Sequence, residues 1–471
     1  MVIPGTYVEV RPEETRLPTG GAIPTGNIGI IGTAERGDDQ FHVLTGFEQA
    51  AARFGEPLPW EPDARGGSLT LVRALRLLFI NGAGTVHARR VFDPDSCRAA
   101  TCRIAAADGA SVLKLGANTP GAWGNKLKLS IENPAPRAPG SDHREGSVNV
   151  TLYYEETREE YPVQSLRQLA RHIEKTSKLA EVMEVSGDGL PAATDEFYRF
   201  SDGANGRITD DLFTAALEDL AAEPVHIIVV AGSNFSNLKS ALRDHLQKTE
   251  IIARPRLAVI GADTSVVEAV IANSHEVDDE RMVLVAPGLK QQDAATGRIH
   301  ELPPYMAAAA VAGKLSCLPP SVSITNKSLA GIDDLASHYN VDELRLLVNN
   351  RVLVLTRQNG IRVVKGITTH AGAFESISVV RILDLIKEGC RRYSQPFTGR
   401  TNTAETRRAL QDLLGGFLDG MVRDGSLSDY SLEIISDRAV TRPGELQARI
   451  NFCPTVSPEV FRVAMNLSLE G

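Results

Sequence analysis

Three glycine-bearing turns, Gly232-Ser-Asn234, Gly261-Ala-Asp263 and Pro287-Gly288, follow apolar runs at the places where open α/β sheets hold ligands. Ligand binding is the chemistry those positions would offer, and tight strand-to-helix turns are the ordinary reading that stands ahead of it. Gly187-Asp-Gly189 followed by Ala192 imitates part of a dinucleotide fingerprint, but Pro191 makes the stretch turn-like and no βαβ unit opens there. Gly313-Lys314 lacks the preceding glycine of a phosphate loop and runs into Leu315. For nucleophilic catalysis there is no Gly-x-Ser-x-Gly and no histidine singled out by a neighbouring motif. His226 lies in an apolar run and reads as a hydrogen-bonded core residue rather than a base. His275-Glu276 lacks the second histidine of a metalloprotease helix, and Asp278-Asp-Glu280 reads as a solvated loop ahead of a cation site. Cys97 and Cys102 are the only close pair among five cysteines, with no second pair or histidine cluster to complete a zinc site. The expectation is no enzyme, no metal and no cofactor.

The elements that would carry any site follow from periodicity. The 471 residues suit two to four domains, and 42% hydrophobic with 23% charged residues is the composition of a soluble globular protein. Val225-His-Ile-Ile-Val-Val230, among the longest apolar runs, is far short of a membrane span. Fifty basic against fifty-nine acidic residues, net −9, argue against nucleic acid as the partner of the whole chain. The scattered cysteines and a start without a secretory signal set the expectation of synthesis and folding in the cytoplasm.

Glycine-punctuated Gly26 to Gly32 and Gly84 to Val91 read as strands, with helices from Gly46 to Phe54 and Ser68 to Ile80 between them. From about 206, strands Val225–Val230, Leu257–Ile260 and Met282–Val285 alternate with helices Ser236–Lys248 and Thr264–Ser274, the rhythm of a parallel sheet covered by helices. Residues 99 to 205 are instead alternating segments broken by proline and glycine, with one helix near Ser165 to Lys178. The fold class expected is thus an α/β core of alternating strands and helices, with an inserted mostly-β domain, a C-terminal α+β domain and extended terminal β arms. Its parts are 1–22, an N-terminal arm; 23–98 and 206–370, the two pieces of the core; 99–205, the insert; 371–453, the C-terminal domain; and 454–471, a C-terminal strand arm.

In the helix expected from 376 to 393, Ile377, Val380, Leu383, Ile386 and Cys390 form an apolar stripe, with Arg381, Asp384, Glu388 and Arg391 on another. In the next, 403 to 423, the apolar face is Leu410, Leu413, Leu414, Phe417, Leu418 and Met421. Both chain ends carry strand chemistry. Tyr7, Val8 and Val10 lie in one terminal strand, while Phe461, Val463, Met465, Leu467 and Leu469 alternate with polar or small residues in the other. Leu446, Ala448, Ile450 and Phe452 alternate in the same way in a strand that could receive them.

Several stretches, in order along nearly the whole chain, resemble contractile tail sheath proteins of bacteriophages and of phage-tail-like contractile injection systems. They are Pro4-Gly-Thr-Tyr-Val-Glu9; Leu44-Thr-Gly-Phe-Glu48 with Phe54-Gly55; Phe79 to Gly84 leading to Ala88-Arg-Arg-Val91; Ala117-Asn-Thr-Pro-Gly-Ala-Trp-Gly-Asn125; Phe200-Ser-Asp-Gly-Ala-Asn-Gly206; and Lys365-Gly-Ile-Thr-Thr369 with Val380-Arg-Ile-Leu-Asp-Leu385. The chain departs from many long phage sheaths near the end of the core, where it has Ala310-Val-Ala-Gly-Lys314 and Pro319 to Lys327. The family's core is often called subtilisin-like, but no triad pattern is visible and no protease residue carries over.

The resemblance implies a structural subunit polymerising as stacked hexameric rings around an inner tube and contracting to drive that tube through an envelope. The partners implied are further copies of the chain, the tube protein, and baseplate and tail-terminator proteins, with no nucleic acid and no membrane insertion, in a particle assembled in the bacterial cytoplasm. The terminal strands would complete sheets in neighbouring subunits; pairing within the same chain is the alternative. Lys387, Arg391 and Arg392 would form a tube-facing basic patch, or serve only the dipole at a helix end. An enzyme with a doubly wound core, hydrolytic or nucleotide-binding, is the competing function, and a surface- or carbohydrate-binding module using the insert is the third.

Overall fold

The computed structural model describes residues 23–57, 60, 69–133, 147–293, 297–435 and 446–458. The expected terminal strands, with Tyr7, Val8 and Val10 at one end and Phe461, Val463, Met465, Leu467 and Leu469 at the other, lie outside the described residues. A nine-stranded sheet organises the rest, in the order Ser328–Leu329, Ile361–Val363, Leu353–Arg357, Met282–Ala286, Leu257–Gly261, Ile227–Ala231, Ile28–Gly32, Val86–Arg90 and His42–Leu44. The six strands from Leu353–Arg357 to Val86–Arg90 are parallel, and antiparallel strands finish both sides. Ile28–Gly32, Ile227–Ala231, Leu257–Gly261 and Met282–Ala286 are buried along their whole length. A strand covered on both faces has no solvent side, which is why these are apolar without alternation.

Helices Leu71–Ile80 and Pro304–Cys317 cover one face, and Asp210–Leu220, Phe235–Ile251 and Val267–His275 the other. Pro304–Cys317 is buried on nearly every side, so its sequence carries small residues such as Ala307 to Ala310 where an amphipathic stripe would otherwise be. Where it crosses Leu71–Ile80, a Cβ on Gly313 would lie 2.4 Å from the Leu78 carbonyl oxygen. Gly313 is therefore a helix-crossing residue, required by close backbone approach.

The strands between 99 and 205 take no part in that sheet. Thr101–Ala105, Val112–Ala117 and Ala180–Ser186 form a three-stranded sheet, and Lys128–Glu132, Val148–Tyr154, Thr157–Val163 and Thr194–Arg199 a four-stranded one. Helix Leu166–Thr176, capped by Ser165 Oγ accepting from the Gln168 amide, closes a shared core that includes Leu113, Leu129, Val150 and Leu169. The chain segments leaving and rejoining the large sheet pair with each other, Arg98 opposite Ala204 and Cys97 opposite Asn205.

Past residue 376, helices Ile377–Ser394 and Ala404–Arg423 pack with an antiparallel hairpin of Leu427–Ile435 and Gln447–Pro454. Arg381, in the polar stripe of the first helix, is 6% exposed, because the helix is gripped by the core as well as by its neighbours. One sequence expectation needs correction. His226 stands just ahead of its strand and is half-buried, its Nδ1 accepting from the Asn27 amide at 3.2 Å. No described helix is long and apolar enough to cross a membrane.

Candidate functional site

At the C-terminal ends of the parallel strands, where ligands are usually held, the turns are closed by their own side chains. Thr33 and Thr70, both buried, meet between strands Ile28–Gly32 and Ile227–Ala231: Thr70 Oγ1 donates to the Ala231 carbonyl at 2.7 Å, and the Thr33 amide donates to Thr70 Oγ1 at 3.1 Å. Asp263 accepts from the Ser236 and Asn273 side chains, Asn237 donates to Asp210 at 2.8 Å, and the Gly288 amide donates to Ser265 Oγ at 3.0 Å. Polar groups engaged in this way make turns, which is the ordinary reading of those glycine-bearing stretches. Among the described residues no group of three His, Cys, Asp or Glu is placed to hold a metal ion.

The hairpin offers a different kind of site. Leu432 faces Ile450 and Tyr430 faces Phe452 across it, and these four pack half-buried toward the helices. Ala448 opposite Ile434 is exposed, and Leu446 lies just outside the strand. Tyr430 ties the hairpin down, its hydroxyl donating to Asp419 Oδ1 at 2.6 Å. Among the described residues the two strands pair only with each other, so both outer edges present backbone groups to a further strand.

The opposite, N-terminal ends of the parallel strands hold the helix Ile377–Ser394. A turn in which the Arg281 amide donates to Asp279 Oδ1 sets Arg281 just before strand Met282–Ala286. Its side chain is 3% exposed and donates twice to Glu250 and twice to Asp384, all at 3.0 Å. Lys387 Nζ donates to the same Glu250 at 2.8 Å, and Arg381 Nη2 to the Leu318 carbonyl at 2.9 Å. Residues 381, 384 and 387 thus fasten three successive points of one helix side to the core. The hydrogen bonds from Arg281 pull Glu250 down to about 2 against its burial, with Lys387 adding to the pull. Of the expected basic patch, Lys387 is engaged by Glu250 and Arg391 by Glu388, with Arg392 on the same helix end. Sequence reasoning missed Arg281 and Glu250, which carry no local pattern.

A second fastening joins the insert to the core, through the two stretches Ala117–Asn125 and Phe200–Gly206. Asn125 and Gly203 exchange hydrogen bonds, each 2.9 Å, and the Ala122 amide donates to Asn205 Oδ1 at 2.8 Å. Trp123, 1% exposed, stands edge-on to Tyr154 with centroids 5.3 Å apart, and the Arg36 guanidinium lies 5.7 and 5.2 Å from those two rings. Buried Glu35 accepts from Lys126 at 3.0 Å, and Arg90 donates to the Pro120 carbonyl at 2.6 Å.

Burial, with the nearby Arg256 charge, lowers both His226 and His245 to about 4. Arg256 Nη1 donates to His245 Nε2 at 3.1 Å, which requires that nitrogen to be unprotonated. The unfolded chain binds protons on both residues near pH 6.5 that the folded chain refuses until about pH 4, so stability is full above 6.5 and falls toward 4. The melting temperature should drop across that window, and His245→Gln should make the drop shallower, as thermal unfolding followed by circular dichroism would measure.

Residues 206–369 match the family model described as the phage tail sheath protein central domain. The tail sheath protein of Bacillus phage SP01 is 27% identical over 267 residues, 54% of this chain and 46% of that protein. That of Staphylococcus phage Twort is 24% identical over 266 residues, 54% and 45%. The chain spans about half the length of these curated relatives. A sheath tail protein of Desulfitobacterium hafniense superposes with a TM-score of 0.71 at 16% identity, over 96% of this chain and 100% of that one. The contracted helical sheath of the anti-feeding prophage matches over 100% of both chains, at 13% identity and a TM-score of 0.55. These structural likenesses establish a shared fold.

Proposed function

From the premise that residues 206–369 belong to the phage tail sheath family, we propose that the chain is a structural subunit of a contractile sheath. Copies stack as hexameric rings around an inner tube, attach to a baseplate and change their packing to drive the tube forward. The observation that carries this reading is the family match, which falls on the strands and helices at the centre of the nine-stranded sheet. The hairpin Leu427–Ile435/Gln447–Pro454 then has a use for the two edges that are unpaired among the described residues: it receives the terminal strands of neighbouring copies, residues 4–10 and 459–469. Such links hold through backbone hydrogen bonds while other contacts between subunits are exchanged. The role is structural rather than catalytic. In this reading Lys387 serves the subunit internally, and the tube-facing role passes to Arg391, Arg392 and whatever else that helix end presents.

Negative-stain microscopy of the purified chain is the test. Striated sleeves are expected from the intact protein, and monomers with unchanged circular dichroism from chains lacking residues 1–20 or 455–471. Sleeves of normal length from either truncation would refute the strand links, and discrete particles from the intact chain under all conditions would refute the sheath reading itself.

A further inference from the structure

A cavity of about 280 Å³ lies where the N-terminal ends of the parallel strands, the helix Ile377–Ser394 and the first described residues meet. Ile23, Pro24, Val225, Leu257 and Leu385 are among its walls. Four of the charged groups around it already have partners in the chain. Glu223 bonds His87 at 2.7 Å, Arg254 donates to the Ala222 carbonyl at 2.7 Å, Asp384 holds Arg281, and Glu388 holds Arg391. Those four charged groups are therefore not held in reserve for a phosphate or a metal ion. What the space can take is apolar side chains, and Ile251 and Ile252, 84% and 50% exposed, extend the apolar surface beside Ala253 on its wall.

We infer that this cavity is the seat of the chain's own residues 1–22 in the unassembled subunit, and that assembly empties it. The chain reaches Ile23 at the cavity wall, so the preceding 22 residues are tethered beside it at an effective concentration on the order of millimolar. They carry apolar residues of a size to fill it, Ile3, Tyr7, Val8 and Leu17 among them. A seated arm is withheld from neighbouring hairpins until a growing end offers the better, hydrogen-bonded site, so subunits stay apart until a sheath is started. The inference rests on the strand-link reading above for its second half alone.

Trypsin cleavage at Arg16–Leu17, in dilute full-length protein, reads the seated state. Filling the cavity by Leu385→Trp should expose that bond and speed its cleavage about tenfold or more, and Ile23→Trp should act in the same direction should the first variant fold poorly. Far-ultraviolet circular dichroism checks the fold, and Ile299→Trp, a change at an exposed residue outside the cavity lining, is the control. Equal cleavage in the wild type and both filled variants would overturn the proposal. Protection that grows with protein concentration would also overturn it, since the occupant would then be a second copy. A chain lacking residues 1–20 that still forms sleeves would refute the strand link while leaving the cleavage result standing.

Discussion

Arg281→Met is expected to loosen the C-terminal helices and hairpin from the core. The substitution keeps most of the aliphatic stem but removes four hydrogen bonds, leaving Asp384, 22% exposed, against the core without its cation. Breaking one side of such a buried pair costs about 3–5 kcal/mol in fully enclosed cases, and Glu250, 39% exposed and still bonded by Lys387, contributes little of that here. About 2–4 kcal/mol is the expected loss, read as a lower melting temperature together with new proteolytic cuts between residues 370 and 376. The double variant Arg281→Met/Asp384→Leu should recover part of the stability, since it removes the stranded carboxylate as well. Unchanged melting and no new cuts in the single variant would show that apolar packing alone holds the helix.

Trp123→Ala should have an effect of similar size at the other junction. The indole is almost fully buried, donates to the Thr119 carbonyl at 3.0 Å and forms, with Tyr154, the aromatic slot that receives Arg36. Its removal leaves a cavity and unbraces the cation, about 3–5 kcal/mol for a large buried aromatic. Because the slot is shared by the insert and the core, the expected signature is an insert that melts before the nine-stranded sheet. Calorimetry would resolve it as a split transition, and a single transition merely shifted downward would argue that the two melt as one unit regardless of this contact.

These two junctions also mark where sequence stopped being informative. The central strands announce themselves, because burial on both faces demands uninterrupted Val, Ile and Ala; the segments from 99 to 205 differ because a sheet with one solvated face alternates. The hairpin strand Gln447–Pro454 was legible by the same alternation, whereas the start of its partner was not, since Ser428 and Asp429 break the pattern ahead of Tyr430. Ala117–Asn125 and Phe200–Gly206 stood out as family blocks, yet nothing in either string says that Asn125 of one bonds Gly203 of the other. Arg281 is the extreme case. Its partner Asp384 is 103 residues away, in the polar stripe of a helix. Periodicity reports what a segment buries, and says nothing about which distant charge will meet it.

The margins of the hairpin, unpaired among the described residues, carry a hazard as well as the proposed use. A row of open amides and carbonyls bonds any extended peptide, a misfolded one included, so under the proposed sheath reading a subunit made in quantity risks disordered fibres before it finds an ordered lattice. The charged residues on these strands temper that risk: Asp429, Glu433 and Arg449 are exposed, and Glu433 and Arg449 lie opposite each other 3.4 Å apart at their charged ends. A stray apolar strand would have to lie beside those charges at a loss. Under the proposed strand links, fidelity of growth and solubility before growth are in this way set by the same few surface side chains.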